Sequence, residues 1–130
     1  MALTHDPKSE SVRAEFDSDE LLERIEGDRV LFMDVVRIFL EDTPGLISAL
    51  KAGVATGNAD VVEKTAHAIK GSCAMISAKR LERLAHELET MGRNGKLNGA
   101  ESLYQDLFEC FHDLKRIMIS LLEKMGQSGR

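Results

Sequence analysis

Apolar residues recur at intervals of three and four along most of this chain, and that spacing predicts helices. Leu103, Leu107, Cys110, Leu114, Ile117, Leu121 and Met125 form one seam, the pattern of a packed bundle helix. Asn98 with Glu101 three residues later opens that element in the manner of a capping box, and it runs to about Lys124. Leu81, Leu84, Ala85, Leu88 and Met91 mark a helix from Lys79 to about Gly92. Val62, Ala66, Ile69, Cys73 and Ile76 mark another from Ala59 to about Ser77, with Asn58 as its cap. A longer pattern spans Asp28 to about Val54, and Pro44 within it predicts a kink or break, because proline donates no N–H. Ahead of these, Asp17 and Glu20 open a short helix through Leu21, Leu22 and Ile25 that Gly27 ends. No run alternates β-branched and polar residues as a strand would. Short links between long helices imply antiparallel neighbours. The expectation is an all-α, antiparallel up-down four-helix bundle with a short N-terminal helix over residues 16–126. Residues 1–15 would be a flexible arm or linker, and 127–130 a flexible tail.

Composition narrows the class without naming a function. A chain of 130 residues is one domain's worth. A net charge of −5 disfavours nucleic-acid binding, which needs clustered Lys and Arg. The longest apolar runs, such as Arg116 to Leu122, are far shorter than a membrane span. The polar N-terminus lacks the apolar core of a secretory signal. The expectation is a cytoplasmic protein that binds neither membrane nor nucleic acid. Cys73 and Cys110 lie inside helical apolar patterns with no C-x-x-C spacing, so they read as buried small hydrophobes. A di-iron bundle needs two Glu-x-x-His pairs, and only Glu109 to His112 has that spacing, so no metal is expected. With no Gly-rich phosphate loop and no acidic cluster for magnesium, no cofactor is expected either.

The segment Ala66-His67-Ala68-Ile69-Lys70-Gly71-Ser72 holds the candidate chemistry. At about 100° per residue, His67 lies roughly 140° from the centre of the apolar stripe, so it faces solvent. Gly71, Ala74 and Ala78 share that outer face. An exposed glycine within a helix costs about 1 kcal/mol relative to alanine, and a strip of small residues leaves room for another molecule to reach the ring. Lys70, one turn on, could offset the charge of an anion arriving there, and Lys64 is a weaker cation on the other flank. If the hairpin turn centres near Ala78-Lys79, His67 is level with Glu89 and Thr90 on the next helix. Glu82, His86, Glu89 and Arg93 line one flank of that helix. A carboxylate there could accept from Nδ1–H and hold the tautomer whose Nε2 is nucleophilic. Whether this flank or the opposite one meets His67 is a matter of handedness, which periodicity does not decide.

His67-Ala68-Ile69-Lys70-Gly71, on the second long helix of an acidic bundle, resembles the H-x-x-K-G signature of the histidine phosphotransfer (HPt) domain family. A small residue ten positions after the histidine and the pair Leu88-Glu89 further on strengthen the likeness, which covers about Phe16 to Met125. The resemblance implies that His67 accepts a phosphoryl group from a receiver-domain aspartate and relays it to another receiver. Lys70 and Gly71 look like its charge-balancing and close-approach positions. Glu89 matches the Glu or Gln that many members place near the histidine. His86 matches a second histidine found in the phosphotransfer domain of the chemotaxis kinase. Ser77 departs from the glycine usual there, and it is small enough to keep the approach open. The resemblance further implies response-regulator receiver domains as partners, for a free-standing carrier or part of a hybrid sensor histidine kinase. The receiver would supply the metal, and the chain would carry phosphate without kinase activity of its own.

Docking needs apolar surface. The Asp28 to Val54 pattern carries more apolar residues than a core stripe requires, and Phe32, Val36 and Leu40 are expected at the exposed edge of that surplus. A helical adaptor or interaction module without phosphate chemistry would explain the bundle and the surplus equally well. It gives no reason for Lys70 and Gly71.

Overall fold

The structure is a computed structural model that describes residues 14–128. Within it, α1 spans Ser18–Arg24, α2 Arg29–Ala55, α3 Ala59–Ile76, α4 Lys79–Asn94 and α5 Ala100–Ser128. The four long helices form the bundle, each packing on its two neighbours, and α1 lies across α2 and α3. Residues 1–13 of the expected arm and 129–130 of the expected tail lie outside the described residues.

Three helices start where short polar side chains can accept the N–H groups left free in a first turn. Asp17 accepts from Glu20 at 2.9 Å, Asp28 from Leu31 at 3.0 Å and Asn58 from Val61 at 3.2 Å. The expected capping pair of the last helix is not used: α5 opens at Ala100, after Gly99 turns the chain at φ +89°. Pro44 does not break α2, which runs through it as one helix. Phe39 and Ile47 on either side of it are both buried, so packing on the bundle offsets the loss of one backbone hydrogen bond. Helix α4 likewise continues past Gly92 and ends at Gly95, whose φ of +69° is the left-handed turn of a helix C-cap.

Gly92 has a different task. It is buried, and a Cβ placed on it would lie 2.5 Å from the Glu63 backbone nitrogen and 2.8 Å from the Ala59 oxygen. Only glycine lets α4 come this close to α3, and that approach sets the depth of the seam where the candidate site lies.

The chain before α1 is docked where the sequence suggested a loose arm. Ala14 is 1% exposed, and Phe16 bridges Ala78. Asp17 N–H donates to Ser77 O, and Lys79 N–H to Glu15 O, each at 3.0 Å. Arg83 forks onto the Glu15 carboxylate, whose pKa falls below the ordinary value chiefly because of that hydrogen bond. This segment covers the α3–α4 turn. There Ser77 takes φ +63° as the C-cap of α3 and its hydroxyl donates to Glu20 Oε1 at 2.7 Å. Ser77 is therefore a buried cap in a glycine-favouring conformation rather than part of an open approach.

Candidate functional site

Helix α3 buries Val62, Ala66, Ile69, Cys73 and Ile76, and His67 stands away from that seam with 69% of its side chain exposed. Gly71 and Ala74 follow on the same face, both exposed, and a Cβ on Gly71 would meet nothing within 4 Å. The histidine therefore has open space beside it. Lys64 stands one turn earlier, where it pairs with Asp60 at 3.0 Å on its own helix and takes no part in the cluster described next.

Glu89 is the residue that organises this surface. It projects from α4 one turn before Gly92, into the tight α3–α4 seam, and is only 2% exposed. An ionised carboxylate is expensive to bury unless donors and cations surround it. Here Lys70 Nζ lies 2.6 Å from Oε1. His67 Nδ1 lies 2.6 Å from Oε2, and Arg93 Nη2 donates to the same oxygen at 3.1 Å. His86 Nδ1 stands 3.6 Å from Oε1. The Lys70 ammonium, opposed by burial and aided by the His67 N–H, brings the Glu89 pKa down to about 2. A carboxylate in that state only accepts hydrogen bonds. His67 Nδ1 must then carry the hydrogen, and Nε2 keeps the free lone pair. The side of α4 that meets His67, undecided by the sequence, is the one bearing His86, Glu89 and Arg93.

The structure brings His67, Lys70, His86 and Glu89 together and leaves several other expected positions elsewhere. Ala78 is fully buried, because α3 ends at Ile76 and the Phe16 segment lies over the turn. Phe32 and Val36 are each 1% exposed: with Phe39, Ile47 and Leu50 they form the inward seam of α2, so they are core rather than docking surface. Leu40 is half-buried against that core. The apolar surplus of α2 emerges instead at Val30, Leu31 and Ile38, of which Ile38 is 56% exposed. On α3, Met75 is 71% exposed. Between Ile38 and Met75 runs an apolar groove of about 520 Å³, floored by Leu21, Ile25, Val35 and Phe39. It starts at Ser72, about one and a half helical turns from His67, on the side of α3 where Ala74 lies. Sequence reasoning missed Met75, although its place outside the 73/76 seam was a usable signal. It also left Arg93 as one member of the flank shared with Glu82, His86 and Glu89 and gave it no role, although its i,i+4 spacing to Glu89 pointed to a pair.

No Cys, His, Asp or Glu group among the described residues has the arrangement of a metal site. No described helix is long and apolar enough to cross a membrane. Comparison with known proteins matches residues 34–124 to the Hpt domain family. The fold is similar to the crystal structure of histidine-containing phosphotransfer protein B from Pseudomonas aeruginosa PAO1. That likeness has a TM-score of 0.79 at 23% identity and covers 85% of this chain and 96% of that one. No curated protein matches this sequence.

Proposed function

The chain belongs to the Hpt domain family, whose members are phosphocarriers that exchange phosphate with receiver domains in two-component relays, and from that premise we propose that His67 Nε2 is its phosphoacceptor. The observation that carries the assignment is the 2.6 Å contact between His67 Nδ1 and the buried Glu89 carboxylate. It holds the ring in the tautomer that attacks. Nε2 attacks the phosphorus of an aspartyl phosphate, the N–P bond forms, and the aspartate carboxylate leaves with the electrons of the broken P–O bond. The ring gains positive charge while keeping its Nδ1 hydrogen, and Glu89 offsets that charge at hydrogen-bond distance. Reversal of the same steps passes the group to another receiver. Lys70, held beside the ring by Glu89, supplies the cation that the incoming phosphoryl group meets.

In this reading the open surface at Gly71 and Ala74 admits the partner's acidic pocket. The groove bordered by Ile38 and Met75 receives an apolar face of the receiver. The chain acts as substrate and carrier, and ATP-dependent phosphorylation belongs to another protein or domain. The reading holds equally for a free-standing carrier and for a domain of a hybrid sensor histidine kinase. The test is incubation with a receiver charged by acetyl phosphate, followed by analysis of acid-labile phosphate. His67→Gln abolishes labelling with helicity intact. Undiminished labelling of that variant would move the acceptor elsewhere.

A further inference from the structure

Glu89 can orient the imidazole only if its own carboxylate is held, and Lys70 alone does not hold it. Lys70 approaches from α3 and grips Oε1. An ammonium is a point charge with no preferred plane, so a carboxylate held at one oxygen can turn until both oxygens face the cation. That rotation would take Oε2 away from His67. A second anchor stands on the opposite side. The Arg93 guanidinium donates through Nη2 to Oε2, the oxygen that His67 uses. Its Nε donates to Glu63 Oε2 at 3.3 Å, so the guanidinium spans from α4 to α3. Glu63 lies one turn before His67 on α3, which ties the guanidinium to the helix that carries the ring.

We propose that Arg93 is a positioning residue for phosphotransfer: bridging Glu63 and Glu89, it locks Glu89 Oε2 toward His67 Nδ1 and so maintains the reactive tautomer. The choice of arginine follows from the geometry. One rigid planar fork reaches two carboxylates on different helices at once and fixes their directions, which the freely rotating donors of a lysine ammonium would not. His86, the remaining charged or titratable neighbour of Glu89, stands 3.6 Å from Oε1 and does not share the oxygen in question. Arg93 is 55% exposed, so its replacement removes the clamp without opening the core.

The inference rests on His67 as the acceptor, but its first readout does not depend on phosphate. In the unphosphorylated full chain, nitrogen-15 NMR of the His67 ring reports which nitrogen bears hydrogen. The native protein shows the Nδ1–H form as dominant. Arg93→Gln shows a mixture approaching equal populations, with helicity retained. Because only the reactive tautomer transfers phosphate, the rate from a charged receiver falls by up to about twofold. Arg93→Lys recovers part of both effects, and Glu63→Gln produces a weaker form of them. An Arg93→Gln protein with the native tautomer ratio would overturn the proposal, even if its transfer rate or melting temperature had dropped. A changed ratio in a chain whose His67→Gln variant still labels would leave the clamp standing and remove the acceptor assignment instead.

Discussion

Two glycines interrupt the helices of this site, and alanine should act on them in opposite directions. In a helix interior, glycine to alanine gains about 1 kcal/mol by reducing the freedom of the unfolded chain. At Gly71 nothing opposes the gain, since a new Cβ meets no atom within 4 Å. Gly71→Ala should therefore raise stability by about 1 kcal/mol, or about 3–6 °C in melting temperature for a domain of this size. At Gly92 the new Cβ would lie 2.5 Å from Glu63 N, 2.8 Å from Ala59 O and 2.9 Å from Glu63 Cα. All three are backbone atoms and cannot swing aside, so α3 and α4 must part by roughly 1 Å to restore ordinary van der Waals spacing. Overpacking of this kind costs typically about 1–3 kcal/mol. Separating the helices also thins the contacts of Leu88 and Ile69, both fully buried near the seam. The net expectation for Gly92→Ala is a loss of about 1–2 kcal/mol despite the gain in helix propensity. The assay is urea denaturation of both variants beside the native chain, with transfer from a charged receiver measured on the same samples. Gly92→Ala should also slow transfer, because parting the helices draws Glu89 away from His67. Gly71→Ala should slow it while being the more stable protein, because a methyl group then stands on the face the receiver must reach. If Gly92→Ala proved as stable as Gly71→Ala, the close approach of the two helices would be refuted, and with it the account of why Glu89 is buried.

Three further outcomes follow from particular groups. Thr43 is 1% exposed and its Oγ1 has no partner among the described residues, so Thr43→Val, nearly equal in shape, should raise stability by about 1 kcal/mol in thermal melts. Glu89 has its pKa lowered to about 2 from the ordinary 4.5. Its contribution is therefore fully present above about pH 4.5 and is lost as pH falls from there toward 2. The acid slope of unfolding free energy should be shallower in Glu89→Gln, and equal slopes would contradict the buried-cluster account. Ile38→Ser with Met75→Ser should weaken receiver binding, by isothermal titration calorimetry, about tenfold or more, with transfer at saturating receiver nearly native. Both side chains are more than half exposed, so stability should move by less than about 0.5 kcal/mol.

Periodicity by itself determined which residues of α3 and most of those of α4 turn inward, because a 3.6-residue repeat reports a helix's own buried face; on α5 the expected seam took in Leu107, Cys110 and Leu114 but left out Tyr104, Phe111 and Met118, which are buried as well. It likewise placed His67 outward with Gly71 beside it, and the polar residues Asp17 and Asn58 announced two helix starts. On α2 the same rule was too coarse. Apolar residues there span too wide an arc to show which edge stays uncovered, and Phe32 and Val36 proved to be core while Ile38 is open. Only the assembled bundle decided that edge, because it depends on where α1 lies. Tertiary structure also decided that Gly92 is a contact rather than a terminus, that the Phe16 segment seals Ala78, that Glu89 reaches His67 and that Arg93 joins Glu89 to Glu63. Each of these joins residues distant in sequence across an interface whose handedness and spacing arise only when two helices pack. A local pattern carries the direction a side chain faces on its own helix, and what it meets there belongs to the partner helix.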